Sequence, residues 1–89
     1  MASKPTTALR KQLGKRLAAA RLSAGFETAE DFADKLGITP AAYRKNERDG
    51  ALPKYETLLE IARLLECDLH WLLTGTKLDR QGKSVPRAA

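Results

Sequence analysis

An all-α fold is predicted by this sequence from three observations. Ala, Leu, Glu, Lys and Arg, the strong helix formers, dominate its 89 residues. No stretch alternates apolar and polar residues with the period of two that a half-buried strand requires. Gly25, Gly37, Gly50 and Gly75 each stand where a run of helical spacing stops, as helix terminators do. The length suits a single domain with a modest core, and no segment repeats another.

The elements follow in order. A first helix is expected from about Ala8 to Ala24, with Leu9, Leu13, Leu17, Ala20 and Ala24 as one apolar stripe. Phe26 lies in the linker after Gly25 and is expected to be buried. Thr28 caps a second helix, whose first turn holds Glu30 and Asp31, where the helix dipole favours acids. Phe32, Ala33 and Leu36 face inward. Ile38 plugs a short turn. Thr39 caps a third helix, and Pro40 takes its first position, where a missing N–H costs nothing. A fourth helix is expected over roughly Lys54 to Leu65, buried through Leu58, Leu59, Ile61, Ala62 and Leu65. Asp68 caps a short fifth helix, "LHWLLT", with Trp71 as a core anchor. Residues 1–7 are expected to form a flexible basic arm, 8–75 the folded domain, and 76–89 a disordered basic tail.

The formal net charge is +5, distributed unevenly. Residues 1–22 carry six cations and no acid; residues 23–75 carry ten acids against six cations; residues 76–89 carry four cations and one acid. Basic ends around an acidic middle fit a polyanionic partner, and they equally fit simple solubility. No apolar run is long enough to span a bilayer, and "MASKPTTALRKQ" lacks the apolar stretch of a signal peptide, so a cytoplasmic location is expected. The single Cys67 agrees with a reducing compartment. His70 has no second ligand at metal spacing, and neither a catalytic constellation nor a glycine-rich phosphate loop is present. Neither an enzyme nor a cofactor or metal is therefore expected.

The informative unit is "KLGITPAAYRKNERDG". Two short helices joined through a glycine-containing turn form the helix-turn-helix arrangement, a pattern that many bundles also contain. On a helical wheel, Ala42, Tyr43, Asn46 and Glu47 fall on one side of the third helix. Pro40, Ala41, Arg44, Lys45 and Arg48 fall on the other. That outer side is small and apolar at its start and cationic further on. Small residues let a helix end approach base edges, and long cations reach guanine acceptors and phosphates. A solvated cationic face would look the same in isolation.

With the surrounding residues the chain resembles a family. "LGKRL…R…G", "FADKLGIT", "YRKNER", "LPKYETLLEIARLL" and "WLLTG" together, over about Leu13 to Gly75, are similar to the phage-repressor (Cro/CI-like, XRE-type) helix-turn-helix family. The resemblance implies a lambda-repressor-like bundle of about five helices that binds double-stranded operator DNA as a homodimer and regulates transcription, as a repressor. It puts Pro40, Ala41, Arg44 and Lys45 at base-facing positions, and Thr28, Ala29, Thr39, Arg48 and Lys54 at phosphates. It pairs Arg21 with Glu47 as a structural ion pair. It points to Leu69, Leu72 and Leu73 for the dimer interface, although Leu69 and Leu72 suit the core as well.

The match has departures. Ala29 and Glu30 occupy the region where the family usually has a phosphate-reaching Gln; Asn46 replaces an apolar residue; Asp49 stands where Gly is common. These leave room for two other readings: an antitoxin with a toxin as second partner, or a protein-interaction module on the same fold. Tyr55 is expected to pack rather than to bond a phosphate. Lys4, Arg10 and Lys11 suit either an arm along the DNA backbone or a solvated terminus. The tail cations Lys77, Arg80, Lys83 and Arg87 are expected to be solvated.

Overall fold

Helices form where caps and terminators bracket each apolar run. The computed structural model describes residues 5–78 and 84–86, with side chains from Ala8 to Thr76. The helices are α1 (Pro5–Ser23), α2 (Ala29–Leu36), α3 (Pro40–Arg48), α4 (Tyr55–Leu65) and α5 (Leu69–Thr74). Thr28, Thr39 and Asp68 each accept a hydrogen bond from the amide three residues on, at 3.0, 3.1 and 2.8 Å, which satisfies an otherwise orphaned donor. Gly37 and Gly75 close α2 and α5 in the left-handed region. The cap of α4 is Glu66, a non-glycine residue at φ 51°, held by amide bonds back to Ala62 and Arg63.

The core is one cluster drawn from every helix. Leu13, Leu17 and Ala20 come from α1, Phe32 and Ala33 from α2, and Tyr43 from α3. Leu58, Ile61 and Leu65 come from α4, and Trp71 and Leu72 from α5. At its centre the Tyr43 ring meets Phe32 edge-on at 5.2 Å, and Phe26 lies 4.9 Å from Phe32. Each such pair adds roughly 0.5–1.5 kcal/mol to what ring burial supplies.

α1 runs across the bundle and touches α3, α4 and α5. Two glycines let its backbone meet that of α3. Gly14, inside α1, lies beneath the carbonyl of Glu47, and a Cβ there would collide with that oxygen. Gly50 lies against the carbonyl of Arg10, one turn back on the same face of α1, and its φ of 68° also favours glycine. Two residues beyond Gly14 along α1, Arg16 donates from Nε to the carbonyl of Leu72 at 2.8 Å and from Nη2 to that of Leu73 at 3.1 Å. It thus supplies partners to the last carbonyls of α5.

Four expectations need correction. Pro5 to Thr7, assigned to the arm, are the first turn of α1, while residues 1–4 lie outside the described residues. Leu9 and Ala24 are exposed, because the buried stripe of α1 spans only the length that the other helices cover. Leu59 is likewise exposed; Leu58 and Ile61 fill the core side of α4. In the tail, Thr76–Leu78 (β1) pairs antiparallel with Ser84–Pro86 (β2), a small ribbon appended to α5. The side chains of the tail cations lie outside the described residues.

The contact at Gly14 predicts a sign. Alanine at an ordinary helical position stabilises by up to ~1 kcal/mol relative to glycine. Gly14→Ala is instead expected to destabilise the fold by about 2 kcal/mol, since backbone must move to admit the methyl group. Denaturant titration of the two chains checks this.

Candidate nucleic-acid interface

The pair α2–α3 is joined by Gly37, Ile38 and Thr39. This short link fixes α3 because its inner face is held chemically as well as by packing. Tyr43 and Asn46 are buried. Arg21 donates from Nε to Oε2 of Glu47 at 2.6 Å and from Nη1 to the carbonyl of Phe26 at 2.6 Å. The Tyr43 hydroxyl donates to the same Glu47 oxygen. The ion pair expected between Arg21 and Glu47 is therefore the centre of a network linking α1, the α1–α2 loop and α3. Burial, and then the bond to Glu47, push the Tyr43 hydroxyl far above the ordinary tyrosine range. Asn46 Nδ2 donates to the carbonyl of Ala51 at 2.7 Å, so the polar residue in an apolar position secures the loop after α3.

The outer face of α3 is exposed along its length. Pro40, Ala41, Arg44, Lys45 and Arg48 are all exposed, as is Ala42, which the wheel had placed inward. Ala42 belongs to the first turn, and the core contact of α3 begins only at Tyr43. Thr39 is exposed at the head of this face, and Thr28 stands at the head of α2 with Ala29 half-buried beside it. Both threonine hydroxyl oxygens accept from their own helices, which leaves each hydroxyl proton able to donate. Lys54 is exposed at the start of α4, with no cap bond from its side chain.

Two cations on this face are engaged. The Arg44 guanidinium pairs through Nη2 with Oε2 of Glu30, in the first turn of α2. Arg48 pairs with its neighbour Asp49 through two bonds of 3.0 and 3.2 Å, each side chain largely exposed. That pairing raises the affinity of Arg48 for its proton and holds the Asp49 carboxyl below the usual carboxylate range. Sequence reasoning missed both pairs, and the departures at Glu30 and Asp49 are where a signal lay.

The residues expected at a dimer contact do not share one surface. Leu72 is 1% exposed and belongs to the core of its own chain, Leu69 is half-buried against that core, and Leu73 is exposed. Tyr55, expected to pack, is 71% exposed at the start of α4 and lies near no other described ring. A cleft of 470 Å³ is lined by Ala20, Leu64, Cys67 and Trp71 among others and shares no residue with α2 or α3. The candidate site is an exposed helix face, and a smaller cleft of 240 Å³ at its far end is lined by Arg10, Lys11, Arg48 and Asp49. No helix among the described residues is long and apolar enough to cross a membrane.

A short supporting helix, a three-residue turn and a second helix exposed along one cationic face define a helix-turn-helix protein. The family model for the helix-turn-helix matches residues 17–72, and the chain belongs to this family, in its Cro/CI-like, XRE-type form. It is also similar to a Bacillus subtilis (strain 168) protein named as an uncharacterized HTH-type transcriptional regulator, YqaE. The two are 44% identical over 48 residues, which is 54% of this chain and 41% of that relative. The chain therefore matches less than half the length of that relative.

The network at Glu47 makes two measurable demands. Glu47→Ala strands the Arg21 charge in a buried setting and is expected to cost about 3 kcal/mol in denaturant titration. Tyr43 acts on the alkaline side. Its folded pKa is raised, so its contribution is complete below the unfolded value of about 10 and is lost as pH climbs beyond it. Above that pH the native chain is expected to lose up to ~1.4 kcal/mol per pH unit through this group. Tyr43→Phe, less stable at neutral pH, should show a correspondingly shallower alkaline decline.

Proposed function

We propose that the protein is a sequence-specific regulator of transcription that binds double-stranded DNA, acts as a repressor, and places α3 in the major groove as a homodimer. The observation that carries the reading is the two-sided character of α3. One side is locked by Arg21, Glu47, Tyr43 and Asn46, and the other is exposed from Pro40 to Arg48. A reading helix needs both, since base discrimination depends on side chains held in register against the duplex. Pro40 and Ala41 form the close-approach end, and Arg44 and Lys45 reach base acceptors. Thr28, Ala29, Thr39, Arg48 and Lys54 meet phosphates, with amide groups at the start of α2 contributing to the contact. The exposed Leu73 contributes to the homodimer contact, with Leu69 at its edge. The setting is cytoplasmic.

A protein as second partner, in the manner of an antitoxin, is favoured by one observation. Tyr55 and Leu59, four residues apart on α4, are exposed side chains on one face, and Leu52 is exposed in the loop before them.

Selection from a random duplex pool, followed by a salt titration on the enriched sequences, tests the primary reading. A two-fold symmetric motif is expected, with half-sites about 34 Å apart and a steep loss of affinity with salt. Arg44→Ala should cost about 1–3 kcal/mol on the best site and relax preference at one position. Lys54→Ala should weaken all sequences alike and lower the salt slope by about one. No enriched motif, with weak binding that salt abolishes, would favour the protein partner.

A further inference from the structure

We infer that Glu30 is a positioning residue for Arg44: by holding the guanidinium from the neighbouring helix, it raises base discrimination and lowers general affinity for DNA. The inference rests on the reading of α3 as the helix that contacts bases. Four ion pairs occur among the described residues. Arg21–Glu47 is buried, Arg48–Asp49 joins sequence neighbours, and Glu60–Arg63 joins residues one turn apart on α4. Glu30–Arg44 is the pair that ties two helices together on the exposed side, and both partners are about half exposed. Exposed pairs add little to stability. Its consequence lies in where it holds Arg44.

The donor geometry of arginine makes the arrangement compatible with reading a base. A guanidinium carries five N–H donors in a planar fork. Pairing with Glu30 through Nη2 leaves the Nε–H and both Nη1 hydrogens. Two of these suffice for O6 and N7 of a guanine. An untethered arginine has many rotamers and follows whichever acceptor is near, phosphate included. Tethered, it offers its free edge in one direction. Lys45, the other long cation of the reading face, makes no ion pair among the described residues. Its contact is thus the more adaptable of the two.

The carboxylate has a second effect. Glu30 lies in the first turn of α2, beside the amides proposed to meet a phosphate, and its charge repels DNA in any register. A pair that merely competed with DNA for Arg44 would weaken binding most where Arg44 makes its base contact, and so would lower discrimination. A pair that orients Arg44 weakens binding to wrong sequences more, because only the right base recovers the full contact.

The test is the ratio of affinities for the selected site and for the same site changed at the base pair that Arg44 reads, measured with the full chain at one salt concentration. Glu30→Ala is expected to tighten binding to an unrelated duplex and to reduce the ratio by about threefold to tenfold. Glu30→Gln, which keeps the shape and gives up the charge, should move both quantities in the same direction by smaller factors. Glu27→Ala removes an equal charge from an exposed residue nearby that has no part in the pair, and should tighten binding to all duplexes with the ratio unchanged. A ratio unchanged within twofold, or raised, in both Glu30 variants, with Arg44→Ala still abolishing discrimination, would overturn the positioning role alone. A ratio unmoved by Arg44→Ala would overturn the assignment of Arg44 as base reader, and this inference with it.

Discussion

The Glu47 carboxylate is the point at which the bundle and its exposed reading helix are joined. It receives Arg21 from α1 and the Tyr43 hydroxyl from one turn earlier on α3, while the main chain of its own residue presses onto α1 at Gly14. A buried charge of this kind is tolerable only because each participant is satisfied. Arg21 spends a further donor on the Phe26 carbonyl, and no buried side-chain polar atom among the described residues is left without a partner. The direction of α3 is therefore fixed by hydrogen-bond geometry, which tolerates less rotation than apolar packing alone.

Electrostatics on the opposite side of α3 follow a different rule. The middle of the chain is net acidic, yet most of its cations gather on α3 and at the start of α4, while half of the acids stand on α2 and α4. Two acids of this stretch, Glu30 on α2 and Asp49 at the end of α3, are in contact with cations of the reading face. What meets a duplex is thus a cationic surface already partly organised by its own counter-charges, and average charge along the chain describes it poorly.

Much of this was legible in sequence because it is local. Thr28, Thr39 and Asp68 each act on amides three residues away, and the left-handed glycines act on their own turns, so spacing alone locates them. The outer face of α3 was legible for the same reason. Gly14 was not, since what forbids a side chain there is a carbonyl 33 residues further along the chain. Arg16 read as one cation among six because nothing near it in sequence reveals that its partners are the carbonyls of Leu72 and Leu73. Leu72 and Leu73 differ by one step on a six-residue helix, too short for periodicity to separate the inside from the outside. The Glu30–Arg44 pair needs the crossing of two helices, which no one-dimensional pattern contains.

The segment recognisable as helix-turn-helix begins at residue 17, inside α1, and ends at residue 72, inside α5. Gly14, Arg16 and the carbonyl of Leu73 all fall beyond those limits, yet they fix α1 to α3 and close α5. The unit that similarity delimits is thus smaller than the unit that holds together. Residues that any common motif omits form the hinge pins of this version of it, and a graft of the motif onto another protein would have to carry them along.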